Sequence, residues 1–174
     1  KRNVFPCFFG SALKLQGVQE LLDGLSTYTV TPAHNKEFGA KVFKIARDES
    51  GNRLTYMKIT GGSLKVRDSL SGENKGTTST EEGHWEEKVT QLRIYSGEKF
   101  TAVNEVVAGM VCAVNGLTYT YPGQGLGVEA ASSSPILEPV LSYVIVLPEG
   151  CDNRQMLPKL RLLEEENPEL HILW

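Results

Sequence analysis

Long apolar runs, a signal-peptide pattern and a cysteine framework are all missing from this sequence of 174 residues. No apolar stretch approaches the ~20 residues of a membrane helix, so we expect no membrane partner. The three cysteines are odd in number and widely spaced, which disfavours a disulfide framework. Cys7 and Cys112 lie in apolar segments, so we predict buried, reduced thiols and a cytoplasmic protein.

Residues that carry chemistry are equally sparse. The three histidines are scattered and share no metal-ligand spacing with the cysteines, so the sequence predicts no metal site. No serine or cysteine has the local signature of a nucleophile, and no G-x-x-x-x-G-K-[ST] phosphate cradle occurs. We therefore predict no catalytic residues, and an enzyme in its own right is the least favoured class of function.

Charge is unevenly distributed along the chain. The net charge is −3, but residues 36–69 hold eight Lys or Arg and four Asp or Glu, a local excess of +4. A basic region on an acidic chain can contact phosphates. The same pattern is also typical of an ordinary solvated strand face, and charge alone does not separate the two interpretations.

The first 30 residues have the pattern of a strand, a turn and a helix. An apolar run from Val4 to Phe9 predicts a strand, and the turn sequence GSA follows it at residues 10–12. Apolar residues then recur at the i, i+3, i+4, i+7 spacing of one buried helical stripe, at Val18, Leu21, Leu22 and Leu25.

Short strands follow at roughly ten-residue spacing and predict a small antiparallel barrel. Residues 40–46 and 54–60 are strand-like on either side of a Gly-containing turn, which indicates a hairpin. After it, Leu64 and Val66 alternate with Lys65 and Arg67, which places the two bases on the solvent face. We expect one longer strand from Trp85 to Tyr95, and a polar loop from Ser71 to Gly83.

The pattern changes again after residue 138. Residues 140–147, VLSYVIVL, predict a buried strand, and a helix with Asp152 as its cap ends at Asn167. HILW then predicts a second strand, so this segment is half of an α/β plait. Pro158 predicts a kink or a late helix start. Glu164, Glu165 and Glu166 crowd the C-terminal end of the helix, where the helix dipole disfavours acids. We expect them either to lie on an exposed face or to contact a partner.

These segments, in this order, resemble elongation factor G and, more closely, the related tetracycline-resistance ribosomal protection proteins. The resemblance rests on FFGSALKLQGVQELLDGL, FGAKVFKIARDESGNRLTYMKITGGSLKVRD, VTQLRIYSGEKF, EVVAGMVCAVNGL and LEPVLSYVIVLPEGCDNRQMLPKLRLLEEENPEL. It implies a mainly β chain in three parts. Residues 1–30 would end a GTPase domain, residues 37–135 would form the β-barrel second domain, and residues 138–174 would begin a truncated ferredoxin-like domain.

The resemblance also implies a function. The intact parent would be a ribosome-dependent GTPase that binds GTP and magnesium, whereas this piece would be non-catalytic and without cofactor. Gly10, Ser11 and Ala12 match the motif that contacts the guanine in the intact parent. The parent, a monomer, would dock on small-subunit ribosomal RNA and protein.

Lys58, Lys65 and Arg67 are our candidates for contacts with ribosomal RNA, because strand alternation turns them outward. The RIYSGEKF segment favours the protection-protein branch, and with it tetracycline resistance. The alternative is a stand-alone β-barrel that binds a protein or a small ligand, since a fold alone does not fix function.

Overall fold

A computed structural model describes residues 4–30, 32–73, 83–129, 141–148 and 150–173. The chain divides into two compact units, Lys1–Ala33 and His34–Trp174. The second unit holds all ten strands of the described residues, so the chain is mainly β, as predicted.

The N-terminal unit contains one helix, α1 (Val18–Tyr28). Its predicted apolar stripe is present, but Leu21, Leu22 and Leu25 remain about half exposed. Gly24 is the buried residue of the helix, because the ring of Phe8 lies over it. Within this described unit the helix therefore has little apolar surface to pack against.

The strand predicted from Val4 to Phe9 is wrong, because these residues have no regular secondary structure. A strand needs a neighbour to satisfy its backbone groups, and the described part of this unit offers none. Cys7 is exposed for the same reason, so the prediction of a buried thiol is wrong there. Cys112 is buried, as predicted.

The second unit is built from ten short strands. In chain order they are β1 (Gly39–Arg47), β2 (Arg53–Gly61), β3 (Ser63–Lys65), β4 (Ser69–Glu73), β5 (His84–Lys88), β6 (Gln91–Ser96), β7 (Lys99–Val103), β8 (Glu105–Val107), β9 (Val111–Asn115) and β10 (Gly125–Gly127). Six of them form one sheet in the order β10-β1-β2-β9-β6-β7, while β3 pairs with β8 and β4 with β5. All of these pairings are antiparallel.

One apolar core joins the three sheets into the predicted β-barrel. Met57 and Ile59 of β2 enter it from the large sheet, Leu64 from β3 and Trp85 from β5. All four side chains are buried. The hairpin β1–β2 forms as its sequence predicts, and Thr55, Met57 and Ile59 alternate inward.

Two boundaries within the barrel differ from the sequence prediction. The single strand expected from Trp85 to Tyr95 is two strands, β5 and β6, in different sheets. The chain leaves one sheet for the other at Val89, whose backbone bonds to Arg67 and Asp68. The polar loop expected from Ser71 begins later, since Ser71–Glu73 belong to β4. Residues 74–82 lie outside the described residues.

The C-terminal segment keeps its helix and lacks its predicted strands. The helix α2 (Asn153–Glu166) begins where Asp152 accepts a hydrogen bond from Arg154 N at 2.9 Å. Pro158 lies inside it, so the predicted late start is wrong. Residues 141–148 and 171–173 form no strand, and a 3-10 turn, Pro168–Leu170, precedes the latter. Neither segment pairs with a strand among the described residues, so neither has a ladder that would satisfy its backbone groups.

Candidate functional site

The candidate guanine rim is a closed turn. Ser11 N donates to Gln16 O at 2.9 Å, and Gln16 N donates back to Ser11 O at 3.1 Å. A Cβ on Gly10 would lie 2.5 Å from Gln16 O, so only glycine allows this close approach. Ala12 is exposed at the tip. The turn therefore fixes the backbone of Gly10, Ser11 and Ala12 in one shape.

The three candidate cations for ribosomal RNA are all exposed, and two of them lie on different sheets. Lys58 sits on β2 in register with Lys41 of β1 and Val111 of β9. Lys65 ends β3, where its Nζ lies 3.8 Å from Glu105 Oε1. Arg67 lies beyond the strand end, in a turn with φ 77°. The three residues thus lie on two strands of different sheets and in one turn.

A row of aromatic rings lies on the side of the large sheet away from the core. Neighbouring ring centroids are 6.3 Å apart for Phe43 and Tyr56, and 5.6 Å for Tyr56–Tyr95 and Tyr95–Phe100. Burial, together with a hydrogen bond to Tyr95, raises the pKa of Tyr56 to about 12. Lys44 Nζ lies 5.8 Å from the Tyr56 centroid. These rings pack on one another and stabilise the outer face.

A partly buried ion pair supports the end of this row. Arg93 Nη1 donates to Asp48 Oδ2 at 3.0 Å, and its guanidinium lies 4.3 Å from the Phe100 centroid. Asp48 also accepts from Asn52 N at 2.9 Å and Ser50 N at 3.1 Å, so it closes the β1–β2 turn. The hydrogen bond from the Asn52 side chain is the main cause that lowers the pKa of Asp48.

Arg53 is held more firmly than any cation that the sequence singled out. Its Nη1 donates to Leu117 O and to Thr120 Oγ1, both at 2.9 Å, and its Nη2 donates to Thr120 O. The side chain is only 11% exposed. Burial lowers its pKa, while the neighbouring Glu165 opposes that shift. The barrel thus fixes this guanidinium, with its Nε edge left for another partner.

The acidic end of α2 meets that edge. Glu165 Oε2 accepts from Arg47 Nη2 at 2.9 Å and from Arg53 Nε at 3.5 Å. Glu166 Oε1 lies 3.9 Å from Arg47 Nε. Glu164 instead accepts from Arg161 and from Ile172 N, within its own segment. The three glutamates that the helix dipole disfavours are therefore compensated by contacts with cations and a backbone amide.

The loop that receives Arg53 is also held from its other side. Glu87 of β5 accepts from Thr118 N at 2.7 Å, from Thr118 Oγ1 and from Tyr119 N at 3.3 Å. A loop tied down by backbone hydrogen bonds at several points loses little further entropy when it meets a partner. The place where the barrel meets α2 is thus rigid on the barrel side.

The contact of Glu165 with Arg47 and Arg53 was not predicted from the sequence. The partners are 118 and 112 residues apart, so no local spacing connects them. The available signal was the pair of arginines that flanks the β1–β2 turn, together with three acids at a helix end that disfavours them. Neither pattern alone indicates that these arginines contact these acids.

Neither a metal cluster nor a membrane helix occurs in the described part of the chain. Among these residues, no three His, Cys, Asp or Glu lie close enough together to hold a metal ion. None of the described helices has the length and apolar character needed to cross a membrane.

Known proteins resemble nearly all of this chain. Elongation factor G 1 of Bdellovibrio bacteriovorus is 30% identical over 98% of this chain, which spans 27% of that protein. The tetracycline resistance protein TetP of Clostridium perfringens is 27% identical over 97% of this chain, which spans 25% of it. The chain thus covers about a quarter of the length of these relatives.

A solved structure and a family model address the fold and the family. A crystal structure of a protein from Thermus thermophilus matches with a TM-score of 0.65 at 24% identity, over 88% of this chain and 23% of that one. The likeness confirms the fold. The model described as elongation factor G domain 2 matches residues 37–129, more than half of the chain. This chain therefore belongs to the elongation factor G domain 2 family.

Proposed function

We propose that this chain is the ribosome-docking and coupling segment of an elongation factor G-like GTPase. The observation that carries the proposal is the match of residues 37–129 to elongation factor G domain 2. Elongation factor G 1 of Bdellovibrio bacteriovorus and TetP also align with the segments on either side of these residues, because each alignment covers 97% or more of this chain. Residues 1–30 would then end the GTPase domain, residues 37–135 would form the barrel, and residues 138–174 would begin the next domain.

In the intact parent, GTP and magnesium would occupy a nucleotide site. This sequence supplies only the residues around the guanine base of that site. Gly10, Ser11 and Ala12 present a fixed turn, which suits contact with a planar base. The sequence contains no phosphate cradle, so the phosphates and the metal depend on residues outside it. The role of this chain is therefore transmission and docking, in a cytoplasmic and monomeric parent.

Within the family we assign the parent to the ribosomal protection branch that confers tetracycline resistance. The Arg93–Phe100 segment and the similarity to TetP support this assignment. The test is the growth of a susceptible bacterium that expresses the intact parent, across a tetracycline series. An unchanged inhibitory concentration, at an expression level verified by blotting, contradicts the branch assignment and leaves the docking proposal intact.

Lys58, Lys65 and Arg67 are the proposed contacts with small-subunit ribosomal RNA. All three are exposed, and Lys58 faces away from the core next to Lys41. Each phosphate contact that is lost lowers the salt dependence of binding by about one unit of log–log slope. Lys65 has Glu105 as a competing partner at 3.8 Å, so its own share is the smallest of the three.

The experiment replaces these three residues by glutamate in the full-length parent. Binding to small ribosomal subunits is measured across a salt series. We expect weaker binding and a slope reduced by about two to three units. The control is Lys99→Glu, which changes an exposed lysine at the start of β7. Equal affinity and slope in the triple variant and the control would refute the assignment of these residues.

A further inference from the structure

We propose that Arg47 and Arg53 form an oxyanion site that takes an RNA backbone phosphate, and that the acidic end of α2 occupies this site in the present structure. The inference rests on the proposed ribosome docking and deepens it. It adds a second RNA contact, made by residues other than Lys58, Lys65 and Arg67. It also makes the contact conditional on the position of a helix.

The Arg53 half of the site is built by the barrel and does not depend on α2 for its shape. Three hydrogen bonds to Leu117 and Thr120 fix the guanidinium of Arg53, whose side chain is 11% exposed. Arg47 lies directly across the hairpin, in register with Arg53. Two guanidiniums at matched positions on neighbouring strands can bind one anion together, and that of Arg53 is held in place beforehand.

The present occupant leaves part of this receptor unused. One oxygen, Glu165 Oε2, serves both Arg47 Nη2 and Arg53 Nε. Arg47 Nε is buried but has no hydrogen-bond partner among the described residues, although Glu166 lies 3.9 Å away. A buried donor without an acceptor is costly. A backbone phosphate has two non-bridging anionic oxygens. One can accept from Arg47 Nη2 and Arg53 Nε, as Glu165 Oε2 does, while the other accepts from Arg47 Nε.

The occupant is also easy to displace. Side chains of Glu165 and Glu166 are 42% and 30% exposed, and such partly solvated ion pairs contribute little free energy. Arg53 keeps its hydrogen bonds to Leu117 and Thr120 when the glutamate leaves. Withdrawal of α2 therefore leaves a cation at a fixed position, where another anion can bind.

The consequence is competition between α2 and RNA for one site. RNA that binds at Arg47 and Arg53 would release the acidic end of α2, and a docked α2 would exclude RNA. Because each occupant disfavours the other by the same factor, ribosome contact at the barrel biases the position of the segment that follows it. This is a specific route by which a docking domain affects the domain that follows it.

The test measures RNA affinity of the 174-residue chain, using a 15-nucleotide polyuridine RNA and fluorescence anisotropy. Glu165→Gln removes the competitor, and we expect affinity to rise about threefold to tenfold. Glu169→Gln makes the same charge change at an exposed position in the following turn, and it should raise affinity less than twofold. The gain should disappear when Arg47→Gln is added. Equal effects of the two glutamate variants, or a gain that survives Arg47→Gln, would overturn the proposal.

A second measurement needs no variant and so does not depend on the variants folding. Amide hydrogen exchange in residues 153–166 is followed with and without the RNA. We expect faster exchange in the last turn of α2 when RNA is bound, because its acidic anchor is displaced. Unchanged or slower exchange at saturating RNA contradicts the proposal.

Failure here can be told apart from failure of the docking proposal. Small-subunit binding of the parent with Lys58→Glu, Lys65→Glu and Arg67→Glu reports on docking alone. If that triple variant binds weakly while Glu165→Gln behaves like Glu169→Gln, only the Arg47–Arg53 site is refuted. If the triple variant binds normally, the assignment of the docking residues fails independently of the outcome here.

Discussion

Arg53 binds Thr120 twice, through a hydrogen bond from Nη1 to the hydroxyl at 2.9 Å and another from Nη2 to the carbonyl oxygen. The same hydroxyl lies 2.7 Å from that of Thr55, which is also buried. A strand residue and a loop residue 67 positions apart are thereby held by one planar cation. The barrel wall and the loop of residues 117–124 act as one unit around it.

Replacing Arg53 with alanine should strongly destabilise the barrel. Thr120 and the Leu117 carbonyl lose their donor inside a buried site, which costs about 2–4 kcal/mol of unfolding free energy. Lys99→Ala removes the same charge from an exposed position and should stay within about 0.5 kcal/mol. Urea unfolding followed by circular dichroism measures both. A loss for Arg53→Ala no larger than that of the control would mean that the loop does not depend on this cation.

Two glycines with similar φ angles should respond differently to substitution by alanine. Gly127 has φ 64°, and a Cβ there would lie 2.2 Å from Phe38 O. Gly51 has φ 79°, and nothing lies within 4 Å of its Cβ position. Gly51→Ala should therefore cost only the left-handed strain of about 1 kcal/mol.

Gly127→Ala adds a backbone clash and should cost at least about 3 kcal/mol. Thermal unfolding of the two variants beside the parent chain measures the difference. Equal losses would show that β10 moves away from Phe38 at no cost.

The barrel could be predicted from sequence because its signals are local. The β1–β2 hairpin follows from two alternating segments around a Gly-containing turn, and Leu64 and Lys65 face the sides that alternation assigns them. The break between β5 and β6 could not be predicted so easily. Val89 is apolar and continues the strand pattern, while the sheet change depends on its distant partners Arg67 and Asp68.

The flanking segments show the other limit of sequence patterns. Residues 4–9 and 141–148 are apolar enough for strands, but neither segment pairs with a strand among the described residues. The Arg47–Glu165 contact could not be predicted from sequence patterns for a related reason, since the two residues are 118 positions apart. Periodicity therefore predicts which segments are able to form strands, and tertiary partners decide whether they do.

The three cysteines should differ in reactivity. Cys7 and Cys151 are exposed, whereas burial raises the pKa of Cys112 to about 12. Because the thiolate is the reactive form, a disulfide reagent at pH 8 should modify two thiols quickly and the third only on unfolding. Absorbance of the released chromophore, with and without denaturant, gives the number of reactive thiols in the unfolded and in the folded chain. Rapid modification of all three in the folded chain contradicts the burial of Cys112.

The same raised pKa predicts an alkaline loss of stability. The folded state keeps the Cys112 proton up to a pKa of about 12, whereas an unfolded thiol loses it near 9. This contribution is fully present below pH 9 and decreases as the pH rises from there toward 12. Urea unfolding at pH 8, 9 and 10 should show a steeper decline for the parent chain than for Cys112→Ala. Equal declines in the unfolding free energy of the two proteins would show that groups other than Cys112 cause the alkaline loss of stability.

The chain by itself should bind GTP weakly and should not hydrolyse it. The turn at Gly10, Ser11 and Ala12 offers only a rim for the base, and most affinity for a nucleotide comes from oriented contacts with its phosphates and magnesium. Calorimetry with GTP and Mg²⁺ should therefore detect no dissociation constant below about 100 μM. The intact parent, which would supply a phosphate cradle, is the positive control. A micromolar dissociation constant for the isolated chain would mean that a nucleotide site exists within these 174 residues, and the assignment of the turn as a mere rim would be wrong.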